Sequence, residues 1–96
     1  MVEIISKKNG SFDVRFFYPA PAGHSVALAG MFNDWDPARN EMAYSAKDGG
    51  YICKITLSAG VYEYKMVVDG QWLLDESNKD FVSNDFGTLN SIFEIK

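Results

Sequence analysis

The chain has 96 residues, which suits one domain that can bury a core without disulfides or a metal. Its net charge of −4 and pI of about 4.7 argue against nucleic acid and anionic membranes as partners, because both require clustered basic residues. The single cysteine, Cys53, excludes an internal disulfide and a multi-cysteine metal site. A globular protein with a neutral partner or a protein partner is therefore expected.

Alternation of apolar and polar residues with a period of two dominates the chain, beginning with Phe12, Val14 and Phe16. It predicts about seven short strands, over residues 12–18, 26–30, 42–44, 51–57, 61–68, 71–74 and 89–95. The Asp69-Gly70 pair is typical of a two-residue hairpin. Segment 31–39 has turn chemistry around Trp35, and the polar segment 75–86 predicts a loop long enough to be functional.

Short strands at this spacing, without a convincing helix, predict an all-β fold, an immunoglobulin-like antiparallel β-sandwich. We see no linker, repeat or second domain, so residues 1–96 are predicted to form a single module with its core over about 12–96. The first residues are expected to be a polar lead-in to the first strand.

Three segments in order form a distinctive pattern: VALAGMFNDWD at 26–36, GVYEYKMVVDGQW at 60–72 and GTLNS at 87–91. The pattern resembles carbohydrate-binding module family 48, which includes the glycogen-binding domain of the AMP-activated protein kinase β subunit and N-terminal domains of glycogen branching and debranching enzymes. The resemblance covers about residue 12 to the C-terminus and implies a sandwich of the E-set type. It also implies non-catalytic binding of α-1,4-glucans such as glycogen, starch or maltooligosaccharides.

The resemblance assigns roles to particular positions. Trp35 and Trp72 occupy the positions of the tryptophans that stack on glucose rings, and Lys65 and Asn90 those of residues that hydrogen-bond sugar hydroxyls. Phe86 stands where the kinase domain has a leucine that threads a cyclic glucan. Such a set suits glucose, whose faces carry C–H groups and whose rim carries hydroxyls. The expected dissociation constant lies between about a micromolar and a millimolar.

Each of these residues also has an ordinary structural explanation. Trp35 could be a core tryptophan, Trp72 a packing residue of its strand, Lys65 an edge charge paired with Glu63, and Asn90 a turn former. Only their positions within the three motifs favour the binding role.

Other polar groups do not suggest catalysis, a cofactor or a metal. The acidic residues lack the spacing of a cation-binding loop, and solvated turns explain them better; they are Asp34, Asp36, Asp69, Asp75, Glu76, Asp80 and Asp85. Two carboxylates facing across a cleft are not expected in so small a sandwich. His24 is interpreted as an exposed loop residue and Cys53 as a core residue. The protein is therefore predicted not to be an enzyme.

Two alternatives stay open. One is a protein-interaction or regulatory module, which Phe17 and Val67 suggest as apolar residues on otherwise polar faces. The other is the N-terminal accessory domain of a glycoside hydrolase family 13 type enzyme, although both chain ends look natural for a freestanding module. The N-terminus lacks a signal-peptide pattern and no apolar run approaches the ~20 residues of a membrane span, so a cytoplasmic location is expected.

Overall fold

The computed structural model describes residues 2–96, and over that range the chain forms nine strands and one short 3₁₀ turn, Pro37–Arg39. The strands are β1 (Val2–Lys8), β2 (Ser11–Pro19), β3 (Val26–Gly30), β4 (Ala43–Ser45), β5 (Gly50–Ser58), β6 (Gly60–Val68), β7 (Gln71–Leu73), β8 (Phe81–Ser83) and β9 (Leu89–Ile95). No helix within residues 2–96 has the length and apolar character to span a membrane.

The strands form two antiparallel sheets that pack face to face. The first sheet has the order β1-β2-β5-β4, and the second has the order β3-β6-β9-β8, with β7 pairing with β6 as well. This arrangement confirms the prediction of an immunoglobulin-like antiparallel β-sandwich, although with more strands than the alternation indicated. The second sheet matters most for function, because three of its strands carry predicted site residues.

The core lies between the sheets and follows the predicted alternation. Val14 and Phe16 of β2 face Leu28 and Tyr64 of the second sheet, and each of the four is at most 1% exposed. The ring of Phe16 meets that of Tyr64 edge-on, with 5.3 Å between ring centroids. Aromatic pairs of this geometry stabilise a core by about 1 kcal/mol beyond the apolar area that they bury.

Two strands were not predicted. β1 pairs with β2 at the edge of the first sheet, so the expectation of a polar lead-in is wrong. Its register shifts between Ile4 and Ser6, which marks a β-bulge, and every residue of β1 after Val2 is exposed. β8 is only three residues long and lies within the predicted loop 75–86. Neither strand buries one face, so neither gives the alternation by which strands are predicted.

Asp75 is a second correction, because it is buried rather than solvated, at 2% exposure. The hydroxyl of Tyr64 donates to its Oδ2 at 2.6 Å, and the hydroxyl of Ser77 donates to its Oδ1 at 2.7 Å. Burial alone would raise the pKa of this carboxyl, but hydrogen bonds such as those from Tyr64 and Ser77 outweigh it and the pKa is lowered. The carboxylate ties the start of the long loop to the core.

The Asp69-Gly70 hairpin is confirmed. Both residues have positive φ, 51° and 81°, as a tight turn between two twisted strands requires. The carboxylate of Asp69 accepts from the backbone N–H of Ser25 at 2.9 Å and lies 2.7 Å from Nδ1 of His24. His24 is exposed, as predicted, and the contacts anchor the hairpin that carries β7.

Candidate functional site

The outer face of the second sheet holds the first half of the site. In the strand register Val67 of β6 lies opposite Trp72 of β7, and Lys65 lies opposite Ala29 of β3. Side chains two residues apart on a strand share a face, so Lys65 and Trp72 lie on the same side of the sheet. Trp72 is 45% exposed there, which is a large exposed fraction for an indole.

Trp35 lies over the small residues of that face. It packs against Ala27, Ala29 and Val67, which are all buried. Val67 is therefore covered at 8% exposure, and the suggestion that it marks an exposed contact patch is wrong. The other residue of that suggestion, Phe17, is half-buried with the guanidinium of Arg15 over its ring, 5.4 Å from the centroid.

The loop that carries Trp35 is held by Asn33, which is 4% exposed. Its Oδ1 accepts from the backbone N–H of Gly30 at 2.9 Å, and its Nδ2 donates to the carbonyl of Leu28 at 2.9 Å. Asp34 and Trp35 both have left-handed backbone conformations, with φ of 57° and 59°. Two consecutive non-glycine residues in this region are strained, so the loop holds the tryptophan at some cost in free energy.

Segment 84–88 forms the opposite wall. The backbone N–H groups of Phe86 and Thr88 both donate to Oδ1 of Asn84, at 2.9 and 3.1 Å. Gly87 has φ of 79°, which permits the reversal between them. The turn leaves Phe86 91% exposed, with almost none of its ring packed on the protein.

Lys65 and Asn90 lie between the two walls. Nζ of Lys65 donates to Oγ1 of Thr88 at 3.0 Å, and Nδ2 of Asn90 donates to Oε1 of Glu63 at 3.1 Å. The described ion pairs do not include one between Lys65 and Glu63, and each of the two residues has another polar contact. Asn90 is 5% exposed, so little of its amide reaches the surface.

These elements enclose a groove of about 450 Å³, and all five predicted site residues line it together with three others. The lining residues are Trp35, Lys65, Trp72, Asn84, Asp85, Phe86, Thr88 and Asn90. Asn84, Asp85 and Thr88 were not predicted. Asn84 had a recognisable signal, since an asparagine before a Gly-containing polar segment favours an Asx turn. Among these lining residues Asp85 is the only carboxylate, whereas glycoside hydrolysis uses two.

The remaining candidates lie outside the groove. Cys53 is half-buried against the core, and burial raises the pKa of its thiol above the ordinary value although a hydrogen bond with Asn40 lowers it in part. A raised pKa keeps the thiol protonated and poorly nucleophilic. His24 contacts the hairpin through Asp69 and does not line the groove.

Comparison with known proteins agrees with the resemblance seen in the sequence. The family described as the glycogen recognition site of AMP-activated protein kinase matches residues 12–96. The 5'-AMP-activated protein kinase subunit beta-1 of Sus scrofa is 28% identical over 95 residues, which are 99% of this chain and 74% of that sequence. Subunit beta-1 of Homo sapiens is 32% identical and subunit beta-2 of Mus musculus 30% identical, each over 74 residues.

Those 74 residues are 77% of this chain and 26% of the human and mouse relatives, so the chain spans about a quarter of each. The family match covers most of the chain, including both tryptophans of the groove and both polar residues between its walls. The chain belongs to the family of glycogen recognition sites of AMP-activated protein kinase.

Proposed function

We propose that this protein binds α-1,4-linked glucan chains without catalysing a reaction on them. The observation that carries the proposal is the groove, in which five residues from four separate parts of the chain meet although they span positions 35–90. The name of the matching family supplies the ligand class, glycogen. The ligand would be neutral, in keeping with the net charge of −4.

In the proposed mode, glucose rings stack on the indoles of Trp35 and Trp72. The apolar faces of the rings lose contact with water there, which is favourable by roughly 25 cal/mol for each Å² buried. The exposed ring of Phe86 contacts the glucan from the opposite wall. Lys65 donates a hydrogen bond to a sugar hydroxyl, and the remaining capacity of the Asn90 amide serves a second one. Nothing in this arrangement requires a metal or a cofactor.

Titration calorimetry with maltoheptaose and β-cyclodextrin tests the proposal, with intrinsic tryptophan fluorescence followed in parallel. Saturable binding with a change in fluorescence is expected, at dissociation constants between about a micromolar and a millimolar. Cellohexaose, which has the same glucose units in β-linkage, is the matched control and should bind much more weakly. Absence of heat and of a fluorescence change at millimolar maltoheptaose would reject the proposal.

A second candidate function is contact with a partner protein on a different face. Ile4, Val61 and Phe81 are each at least half exposed, and they line two shallow depressions that share Lys79, Asp80, Phe93 and Glu94. Exposed apolar side chains grouped in this way are typical of contact surfaces. Replacement of Val61 and Phe81 by serine should abolish such a contact without changing glucan affinity. If the unsubstituted chain and the chain with both serines bind the same proteins in a pull-down experiment, this candidate is rejected.

A further inference from the structure

We propose that Asn84 is a positioning residue, which holds Phe86 and the neighbouring polar groups in place before a ligand arrives. The inference rests on the proposed function of the groove and adds to it the residue that shapes one wall. Neither motif spacing nor the family match assigns Asn84 a role. Its contacts carry the inference, because they reach three of the five predicted site residues.

The acceptor end of the Asn84 amide shapes the turn. Its Oδ1 receives the backbone N–H groups of Phe86 and Thr88, and its own backbone closes the same turn. The N–H of Asn84 donates to the carbonyl of Thr88 at 2.9 Å, and the N–H of Gly87 donates to the carbonyl of Asn84 at 3.2 Å. Four hydrogen bonds to one residue thus fix a segment of five residues.

The donor end of the same amide connects the turn to the polar residues of the groove. Its Nδ2 donates to Oγ1 of Thr88 at 2.7 Å and to Oδ1 of Asn90 at 3.1 Å. Oγ1 of Thr88 also accepts from Nζ of Lys65, and Asn90 donates onward to Glu63. Asn84 therefore hydrogen-bonds directly to Asn90, which is predicted to bind a sugar hydroxyl, and is linked through Thr88 to Lys65, which has the same predicted role.

Phe86 has less of the protein packed around it than either tryptophan has, so its position depends more on the turn that carries it. Trp35 packs on a buried cluster and Trp72 is held by strand pairing, whereas Phe86 is 91% exposed and has almost no side-chain packing to hold it. The backbone of segment 84–88 therefore determines which part of the groove its ring can reach. Without Asn84, a glucan would have to order that segment on binding, and such ordering reduces affinity.

Binding of β-cyclodextrin and maltoheptaose to the full chain and its variants tests the inference. Asn84→Ala should weaken binding by about tenfold, the cost of ordering roughly one residue. In a Phe86→Ala background the same change should weaken binding by no more than about threefold, because the ring that Asn84 positions is already gone and only its contacts with Thr88 and Asn90 are lost. Asn84→Asp keeps the acceptor for the two N–H groups but loses the donor to Thr88 and Asn90, so it should recover affinity only in part, to within about threefold of the unsubstituted chain.

Asn78→Ala is the matched control. Asn78 lies in the same long loop, accepts from the N–H of Asp80 at 2.9 Å and donates to the carbonyl of Ile92 at 3.1 Å, but it does not line the groove. Its loss should lower the melting temperature and leave affinity unchanged, which separates positioning from general stability.

Three results would overturn the inference. If the unsubstituted chain binds glucan and Asn84→Ala binds it with the same affinity, the positioning role is rejected while the proposed function stands. A full tenfold loss in the Phe86→Ala background means that Asn84 does not act by positioning Phe86. Absence of glucan binding by the unsubstituted chain rejects the proposed function, and the inference with it.

Discussion

Replacing Trp72 with alanine should weaken glucan binding by well over tenfold while leaving the fold unchanged. Trp72 is 45% exposed, which for a side chain of roughly 250 Å² leaves about 110 Å² available to a ligand. A stacked sugar ring that covers about 100 Å² of it gains ~2.5 kcal/mol, or about 70-fold in the dissociation constant. The stability cost should stay within about 0.5 kcal/mol, since the residue is at the surface.

Titration calorimetry with maltoheptaose measures the loss, and urea unfolding measures the stability of both forms. Phe81→Ala is the matched control, because Phe81 is 55% exposed on the same sheet but lies outside the groove. Its affinity should equal that of the unsubstituted chain. Equal affinities for Trp72→Ala and the unsubstituted chain would refute stacking on this indole, and an equal loss in Phe81→Ala would refute the location of the site.

The other predictions follow from the same contacts. Trp35→Ala should abolish detectable binding and also destabilise the chain by about 2 kcal/mol in urea unfolding, because its indole covers Ala27, Ala29 and Val67; a stability equal to that of Trp72→Ala would contradict this. Lys65→Met should weaken binding by roughly fivefold, the value of about one net hydrogen bond, and affinity should change little up to 1 M salt because the sugar is neutral; a steep salt dependence would indicate an anionic ligand. Asp75→Asn should cost about 2–3 kcal/mol of unfolding free energy near neutral pH, because a buried charge-assisted contact is lost. Since the pKa of Asp75 is lowered in the fold, its stabilisation is present above the ordinary value of 3.8 and lost as the pH falls below it. The deficit of Asp75→Asn should therefore shrink in unfolding measured below that pH, and a constant deficit would contradict the carboxylate role.

The alternation in the sequence was sufficient to predict strands that bury one face. β2, β5 and β6 alternate because each lies between a core and an outer surface, and Phe12, Val14 and Phe16 mark that core face directly. The hairpin at Asp69-Gly70 was predictable for a local reason, because a tight turn needs residues that tolerate positive φ. That Lys65 and Trp72 lie near each other could be predicted from the strand pairing across this hairpin, but their meeting with Trp35, Phe86 and Asn90 was expected only from the family resemblance.

The parts that could not be predicted depend on contacts distant in sequence. Val67 is predicted to be exposed because it shares a strand face with the polar residue Lys65 and Asp69 follows two positions later, yet Trp35 covers it from another loop. Asp75 looks like a solvated loop residue until Tyr64, eleven positions earlier, supplies a donor in the core. β1 was missed because an edge strand with exposed side chains has no pattern of burial to detect.

The bulge in β1 also bears on whether copies of this protein can pair with one another edge to edge. Branched glucans present many chain ends, so bound copies would lie close together with their open sheet edges exposed. A regular edge strand pairs readily with another, whereas the register shift between Ile4 and Ser6 and the charges of Lys7 and Lys8 oppose such pairing. On the proposed ligand, neighbouring copies should therefore not associate through the β1 edge.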